Sequence, residues 1–199
     1  MTAAARISGH FSDAITGEKD FRGEKTLVLR AAALHDVCAF AKESLGFDYL
    51  IDISSVDHFG EEPRFELVYE LYSMKDGVHL RLKIPVSEDD CEAPTVTDIW
   101  PAANWHEREV FDMMGIRFKD HPDLRRILMW EGYPYHPLRK DFPLAGKPSD
   151  VPGVAFSDPA PLAGGPFVTV PTDGNTQVRE PRARQAGELP RPEKFLEEP

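Results

Sequence analysis

A chain of 199 residues, 41% hydrophobic and 29% charged, has the size and composition of one globular domain with an appendage. Its formal net charge of −11 argues against a nucleic-acid binder, and no window holds the ~20 apolar residues of a membrane span. Cys38 and Cys91 are too few for a disulfide framework or for an iron–sulfur cluster held by this chain alone, and they fit a reducing, cytosolic setting.

The opening MTAAARISGHF lacks the apolar core of a secretory signal, so any membrane association is expected through partners. Residues 1–24 are weakly patterned and read as a loose or short helical lead-in. Lys25 to Leu29 reads as a first strand. Leu34, Val37, Cys38, Ala41 and Leu45 then fall at helical spacing, with Gly46 where a C-terminal cap belongs. Tyr49 to Ile53 reads as a second strand.

Two alternating runs follow. Phe65, Leu67, Tyr69 and Leu71 interleave with Glu66, Val68, Glu70 and Tyr72; Val78, Leu80, Leu82 and Ile84 interleave with His79, Arg81 and Lys83. They predict a hairpin about Lys75-Asp76-Gly77. Setting Tyr72 against Gly77 places Phe65 opposite Ile84, Leu67 opposite Leu82 and Tyr69 opposite Leu80. On the wet face Glu66 then meets Lys83 and Glu70 meets His79. Pro85 marks an edge or the end of pairing. The acidic stretch SEDDCEAP reads as a solvated loop without regular ligand spacing.

Residues 100–144 are the densest in polar groups. Pro101 suits the first turn of a helix and Gly115 its C-cap. Ala103, Val110, Phe111 and Met114 share one helical face with Glu107 in its middle, while Arg108, Glu109 and Asp112 fall on the other side. A carboxylate on an apolar stripe is costly to bury unless it is paired. Three readings follow. Glu107 or Glu109 could act as general acid or base in a free-standing enzyme, although nothing identifies a substrate. His106-Glu107 begins like the zinc motif HExxH, but position 110 is Val and the second ligand is missing. The third reading pairs Glu107 with Arg125 or Arg126, as a bidentate clamp on the following loop or another chain.

Two phrases recur after this helix, His121-Pro122-Asp123-Leu124-Arg125-Arg126 and His136-Pro137-Leu138-Arg139-Lys140. Each proline drives its histidine out of helical conformation and each phrase presents two cations. With Trp130, Tyr133, Tyr135 and Phe142 interleaved, and Asp141 beside Phe142, the composition is that of an interface for an acidic neighbour.

RFELVYEL, LRLKIPV, TVTDIW, ANWHEREVFDMMGI, HPDLRRIL and HPLRKDFPL resemble, in this order, the small hydrophilic connecting subunit, the C subunit, of respiratory complex I, the proton-translocating NADH:quinone oxidoreductase. The similarity spans about residues 49–144. One departure is Tyr135, where that family usually has Gly. The resemblance implies a non-catalytic subunit without flavin, iron–sulfur cluster or metal of its own. It would sit at the cytoplasmic side of a bacterial inner membrane, against the large quinone-site subunit and the iron–sulfur subunits, with FMN held by partners. Related subunits in membrane-bound nickel–iron hydrogenases are the alternative parent complex.

From Ala145 onward the chain holds ten of its 18 prolines and no convincing period. Alone it cannot bury enough apolar surface to offset its ordering entropy. Phe156, Phe167 to Val170, and Phe195-Leu196 suit an arm that orders across a partner. The expected fold is α+β: a two-layer domain at 25–118 with a mixed or antiparallel sheet under helices, a docking segment at 119–144 and an extended arm at 145–199.

Overall fold

The computed structural model describes residues 2–143. The chain divides after Lys140 into two compact units, and of the second only residues 141–143 are described. The arm expected at 145–199 lies outside the described residues.

Helix α1, Ala3–His10, starts at Thr2, whose hydroxyl accepts from the Ala5 N–H at 3.3 Å, and buries Ala4 and Ile7. Strands β1, Ile15–Phe21, and β2, Glu24–Leu29, form a hairpin whose two-residue turn, Arg22-Gly23, has φ of 55° and 85°. The lead-in is therefore the short helix of its two readings, followed by a paired strand that the sequence did not show. β1 gives no alternation because it is an edge strand, almost wholly exposed, and Lys25 holds it through Asp20 at 2.8 Å.

Helix α2, Leu34–Leu45, buries Leu34, Val37, Cys38 and Ala41, and Gly46 caps it at φ 76°. Both features were legible in the spacing. Strand β3, Tyr49–Asp57, runs four residues beyond the expected stretch. Strands β4, Phe65–Ser73, and β5, Val78–Val86, make the expected hairpin. The sheet order is β1-β2-β5-β4-β3, mixed, with β2 parallel to β5 and the other pairs antiparallel.

The hairpin register is two residues away from the expected one. Phe65 faces Val86, Leu67 faces Ile84, Tyr69 faces Leu82 and Leu71 faces Leu80, so each residue keeps its face and changes its partner. The turn decides this. Gly77 has φ 65° and donates to the Ser73 carbonyl at 2.9 Å, so it belongs to the loop rather than the ladder. On the outer face Glu70 bonds Arg81 instead of pairing with His79, whose ring lies 4.5 Å from that of Tyr72. Lys83 still reaches Glu66, diagonally, at 2.6 Å. Pro85 lies past the last β5 residue that β2 pairs, where the strand has one neighbour.

Strand β6, Glu92–Pro94, and strand β7, Arg117–Lys119, pair in parallel, and helix α3, Ala103–Met114, is the crossover between them. Gly115, φ 77°, turns the chain from α3 towards β7. The core joins α1 and α2, the inner face of the large sheet and the buried side of α3. No helix among the described residues is long and apolar enough to cross a membrane.

Candidate docking site

Helix α3 is buried on more sides than its apolar stripe predicts. Ala103, Glu107, Val110 and Met114 enter the core as expected, yet Arg108 and Asp112, placed by periodicity on the other side, are buried too. They are covered by the chain after β7, which folds back over the helix as a strap.

Asp112 is the fastener. Its Oδ2 accepts the successive N–H groups of Ile127, Leu128 and Met129 at 2.9, 2.7 and 2.8 Å, and its Oδ1 accepts from Arg126 at 2.6 Å. The carboxylate is fully buried, and burial alone would raise its pKa. The three N–H groups and the Arg126 guanidinium together outweigh that and hold it below the ordinary carboxylate value. The Asp112 carbonyl accepts from Nδ1 of His136 at 3.0 Å. Arg108, under the Trp105 ring at 5.1 Å, donates to the carbonyls of Arg125 and Arg126 at 3.1 and 3.3 Å.

The second basic phrase holds the end of the strap. Leu138 donates its N–H to the Met113 carbonyl at 3.1 Å, and Arg139 Nε donates to the Met114 carbonyl at 2.6 Å. A Cβ at Gly115 would lie 2.6 Å from both Arg139 and His136, so this position needs glycine for space as well as for φ. The Arg139 and Arg64 guanidiniums lie 5.0 and 4.9 Å from the Phe65 ring centroid. The Lys140 N–H reaches Asp57 Oδ2 at 2.8 Å, and Asp57 takes Arg64 through both oxygens at 3.0 Å. Arg64 holds the Asp57 carboxyl below its usual range, with help from the Lys140 N–H and against the effect of burial.

Two sequence expectations change here. Glu107 pairs with neither Arg125 nor Arg126. Its Oε1 accepts the Val96 N–H at 2.8 Å and its Oε2 meets the Thr95 hydroxyl at 2.5 Å, because its face of the helix looks into the core while the arginines lie across α3. The cations of the two phrases are also largely committed within the chain, Arg126 to Asp112 and Arg139 to Met114. Arg125 is exposed and bonds Asp123 at 2.8 Å. His121 is part of the same fold-back: Nδ1 accepts the Asp123 N–H at 3.0 Å and Nε2 faces the Asn104 carbonyl at 3.3 Å. Glu109 is exposed, as is Lys140; in the second unit Asp141 is exposed and Phe142 half-buried.

Thr95, Asp57 and Arg64 carry geometry that no spacing rule singled out, and Gly115, legible in the sequence as a C-cap, also makes room for Arg139 and His136. For Thr95 and Arg64 the sequence held no signal, since their partners lie 12 and seven residues away in other elements. Beside the exposed Glu109, Arg125 and Lys140, α3 and the strap present three large apolar side chains to solvent, Trp105, Leu128 and Leu138, at 61, 61 and 60% exposure. A depression on the outer sheet face is lined by Glu24, Lys25, Ile51, Glu70, His79 and Arg81, and its Arg81 is already bonded to Glu70 and Glu24. Among the described residues no three His, Cys, Asp or Glu side chains converge on a metal position.

Residues 27–148 match the family described as "Respiratory-chain NADH dehydrogenase, 30 Kd subunit". The C subunit of the NADH-quinone oxidoreductase of Geotalea uraniireducens is 46% identical over 144 residues, 72% of this chain and 88% of its own. A second such C subunit, from Rhizobium meliloti, is 49% identical over 142 residues, 70% and 78% of the two chains. Among solved structures, the trypsin-resistant fragment (1-134) of Nqo5 is 34% identical with a TM-score of 0.55, covering 61% of this chain and 97% of that one. A chain of an archaeal membrane-bound sulfane sulfur reductase is 29% identical with a TM-score of 0.61, covering 71% and 84%.

Proposed function

Because the chain belongs to the respiratory-chain NADH dehydrogenase 30 kDa subunit family, as a C subunit of NADH-quinone oxidoreductase, we propose that its work is assembly. It holds neighbouring subunits in register while they carry electrons from NADH through FMN and iron–sulfur centres to quinone. The match over residues 27–148 carries this reading. The geometry supports the assembly role, because Arg108, Asp112, Arg126 and Arg139 are spent on fastening the strap.

The partners proposed are the large quinone-site subunit and the iron–sulfur subunits of the same complex. FMN and the clusters belong to those partners, and the chain reaches the membrane, the inner membrane of a bacterium on its cytoplasmic face, through them. The contact surface proposed is the strap and α3, with Trp105, Leu128 and Leu138 as apolar anchors. Glu107, Arg108, Asp112, His121, Arg126, His136 and Arg139 shape that surface from behind. The chain of the archaeal sulfane sulfur reductase supports a different parent complex less well, being 29% identical against 46–49% for the C subunits.

The test is to replace Trp105 and Leu128 together by Ala in the full chain and to follow incorporation into the complex on native gels. Loss of co-purifying flavin and iron–sulfur subunits, with the free chain still folded, is expected. Intrinsic turnover or a tightly bound metal in the isolated chain would overturn the assembly reading.

A further inference from the structure

Glu107 sits at the junction of four elements and is bonded in an unusual way. Its side chain is fully buried, and among the described residues no Lys or Arg forms an ion pair with it. Oε1 is fixed by the Val96 N–H at 2.8 Å. Oε2 meets the Thr95 hydroxyl at 2.5 Å, and Thr95 Oγ1 in turn lies 3.0 Å from the Thr97 hydroxyl. Thr95 is buried and Thr97 half-exposed, so the two hydroxyls form a line from the buried carboxyl to the surface.

We infer that Glu107 is a buried proton-binding site, filled from solvent through Thr95 and Thr97, which ties the packing of α3 on the 95–99 turn to pH.

Every other titratable group facing the carboxyl is neutral or anionic. Cys38 from α2 and Tyr69 from β4 are both buried, and each resists ionisation because of burial first and the Glu107 charge second. Asp98 of the turn adds a repelling charge. His121 brings Nε2 to 3.9 Å, but its Nδ1 accepts the Asp123 N–H, which fixes the neutral ring with the proton on Nε2. Burial and the nearby Arg108 also lower its pKa. The carboxylate thus has hydrogen bonds and no counter-charge. Burial pushes its pKa from 4.5 to about 7, against the opposing pull of the Thr95 and Val96 bonds.

Threonine suits both charge states. With Glu107 ionised, Thr97 donates to Thr95 and Thr95 donates to Oε2. On uptake, a hydronium gives its proton to Thr97 Oγ1, Thr97 passes its own to Thr95, and Thr95 passes its own to Oε2. Each oxygen ends with one proton, and the bonds run Glu107 to Thr95 to Thr97 to water. No hydroxyl has to rotate and no buried polar atom loses a partner.

The turn that carries the relay is also held by others. Thr95 donates its N–H to the Lys119 carbonyl at 3.0 Å, Asp98 bonds His35 of α2 at 2.9 Å, and Lys42 of α2 bonds the Ile99 carbonyl. A charge appearing on Glu107 is therefore felt where α2, α3 and the small sheet meet.

The experiment is a titration of the full chain with 13C-labelled glutamate, read by NMR, with infrared detection of a protonated carboxyl. One glutamate is expected to titrate near 7 and to disappear in Glu107→Gln. The wild-type folding constant, relative to that variant, is expected to fall by about tenfold per pH unit as pH rises from 4.5 to about 7, because unfolding there releases one proton. Thr95→Val removes a donor to the carboxylate and moves the midpoint up. Thr97→Val leaves the Thr95 hydroxyl without an acceptor when Glu107 is protonated, and moves the midpoint down. Opposite shifts support the relay. A Glu107 carboxyl titrating near 4.5, or a midpoint unmoved by Thr97→Val, overturns it. The wild-type and Thr97→Val titrations decide the question even where Glu107→Gln does not fold.

Discussion

Two carboxylates on one helix, Glu107 and Asp112, are both shut away from water and carry opposite pKa displacements. The difference is in what reaches them: two hydrogen bonds and no cation for Glu107, three N–H groups and a guanidinium for Asp112. Asp112→Ala leaves three inward N–H groups without a partner and Arg126 without its counter-charge, holding only the residue-112 carbonyl at 3.1 Å, and is expected to cost about 3–5 kcal/mol in urea unfolding. Gly115→Ala meets Arg139 and His136 and forces φ 77° on a side chain, costing about 1–3 kcal/mol from the backbone alone in the same measurement. The pH dependence has two signs. Asp57 and Asp112 have folded pKa values below the unfolded 3.8, so their stabilisation is present above that value and is lost as pH falls through the folded ones. Glu107, raised above its unfolded 4.5, works the other way: its contribution is complete below 4.5 and is lost as pH rises through about 7. A stability curve with a shoulder on the neutral side and a drop in strong acid is the expected result, and circular dichroism melts across pH measure it.

At the scale of elements, α3 works as a crossover helix sealed by its own continuation. The strap's attachments include Arg108 with the carbonyls of Arg125 and Arg126, Asp112 with residues 126–129, Met113 and Met114 with Leu138 and Arg139, and Asp57 with Lys140. Releasing one attachment should open the strap without unfolding the sheet, since the sheet meets the strap at the end of β3 and the start of β4 and its ladder lies elsewhere. Asp57→Ala is expected to speed amide exchange most at residues 136–140 and to leave β4 and β5 protected. Uniform loss of protection across the sheet would show that strap and sheet form one cooperative unit.

At the scale of the molecule, the chain presents apolar anchors on a surface whose charges are mostly satisfied internally. Trp105→Ala with Leu128→Ala removes exposed side chains. The cost to the free chain is expected within about 1 kcal/mol, including the loss of Trp105 stacking on Arg108. Incorporation into the complex should fall far more than stability does. A variant that is destabilised and assembles normally would place the interface elsewhere.

Much of this was written in local sequence. The spacing of Leu34 to Leu45 with Gly46, the alternation of β4 and β5, and the helix that ends at Gly115 are read within a few turns of chain, where periodicity and caps are sufficient physics, although α3 begins at Ala103 and leaves Pro101 before its N-cap. The motifs from RFELVYEL to HPLRKDFPL also carried the family. Tertiary structure decided the rest. Edge strand β1 has no buried face to pattern, and the hairpin register rests on one glycine whose φ places it in the loop. The partner of Glu107 could not be found by matching charges. A helix face is set by 100° steps along the chain, but whether an arginine or a threonine meets it is settled by which distant loop packs there. Residues 100–140 advertised their ionisable groups in sequence, and only the fold showed that Asp112 meets a cation and backbone N–H groups on the strap while Glu107 meets Thr95 and Val96 with no cation.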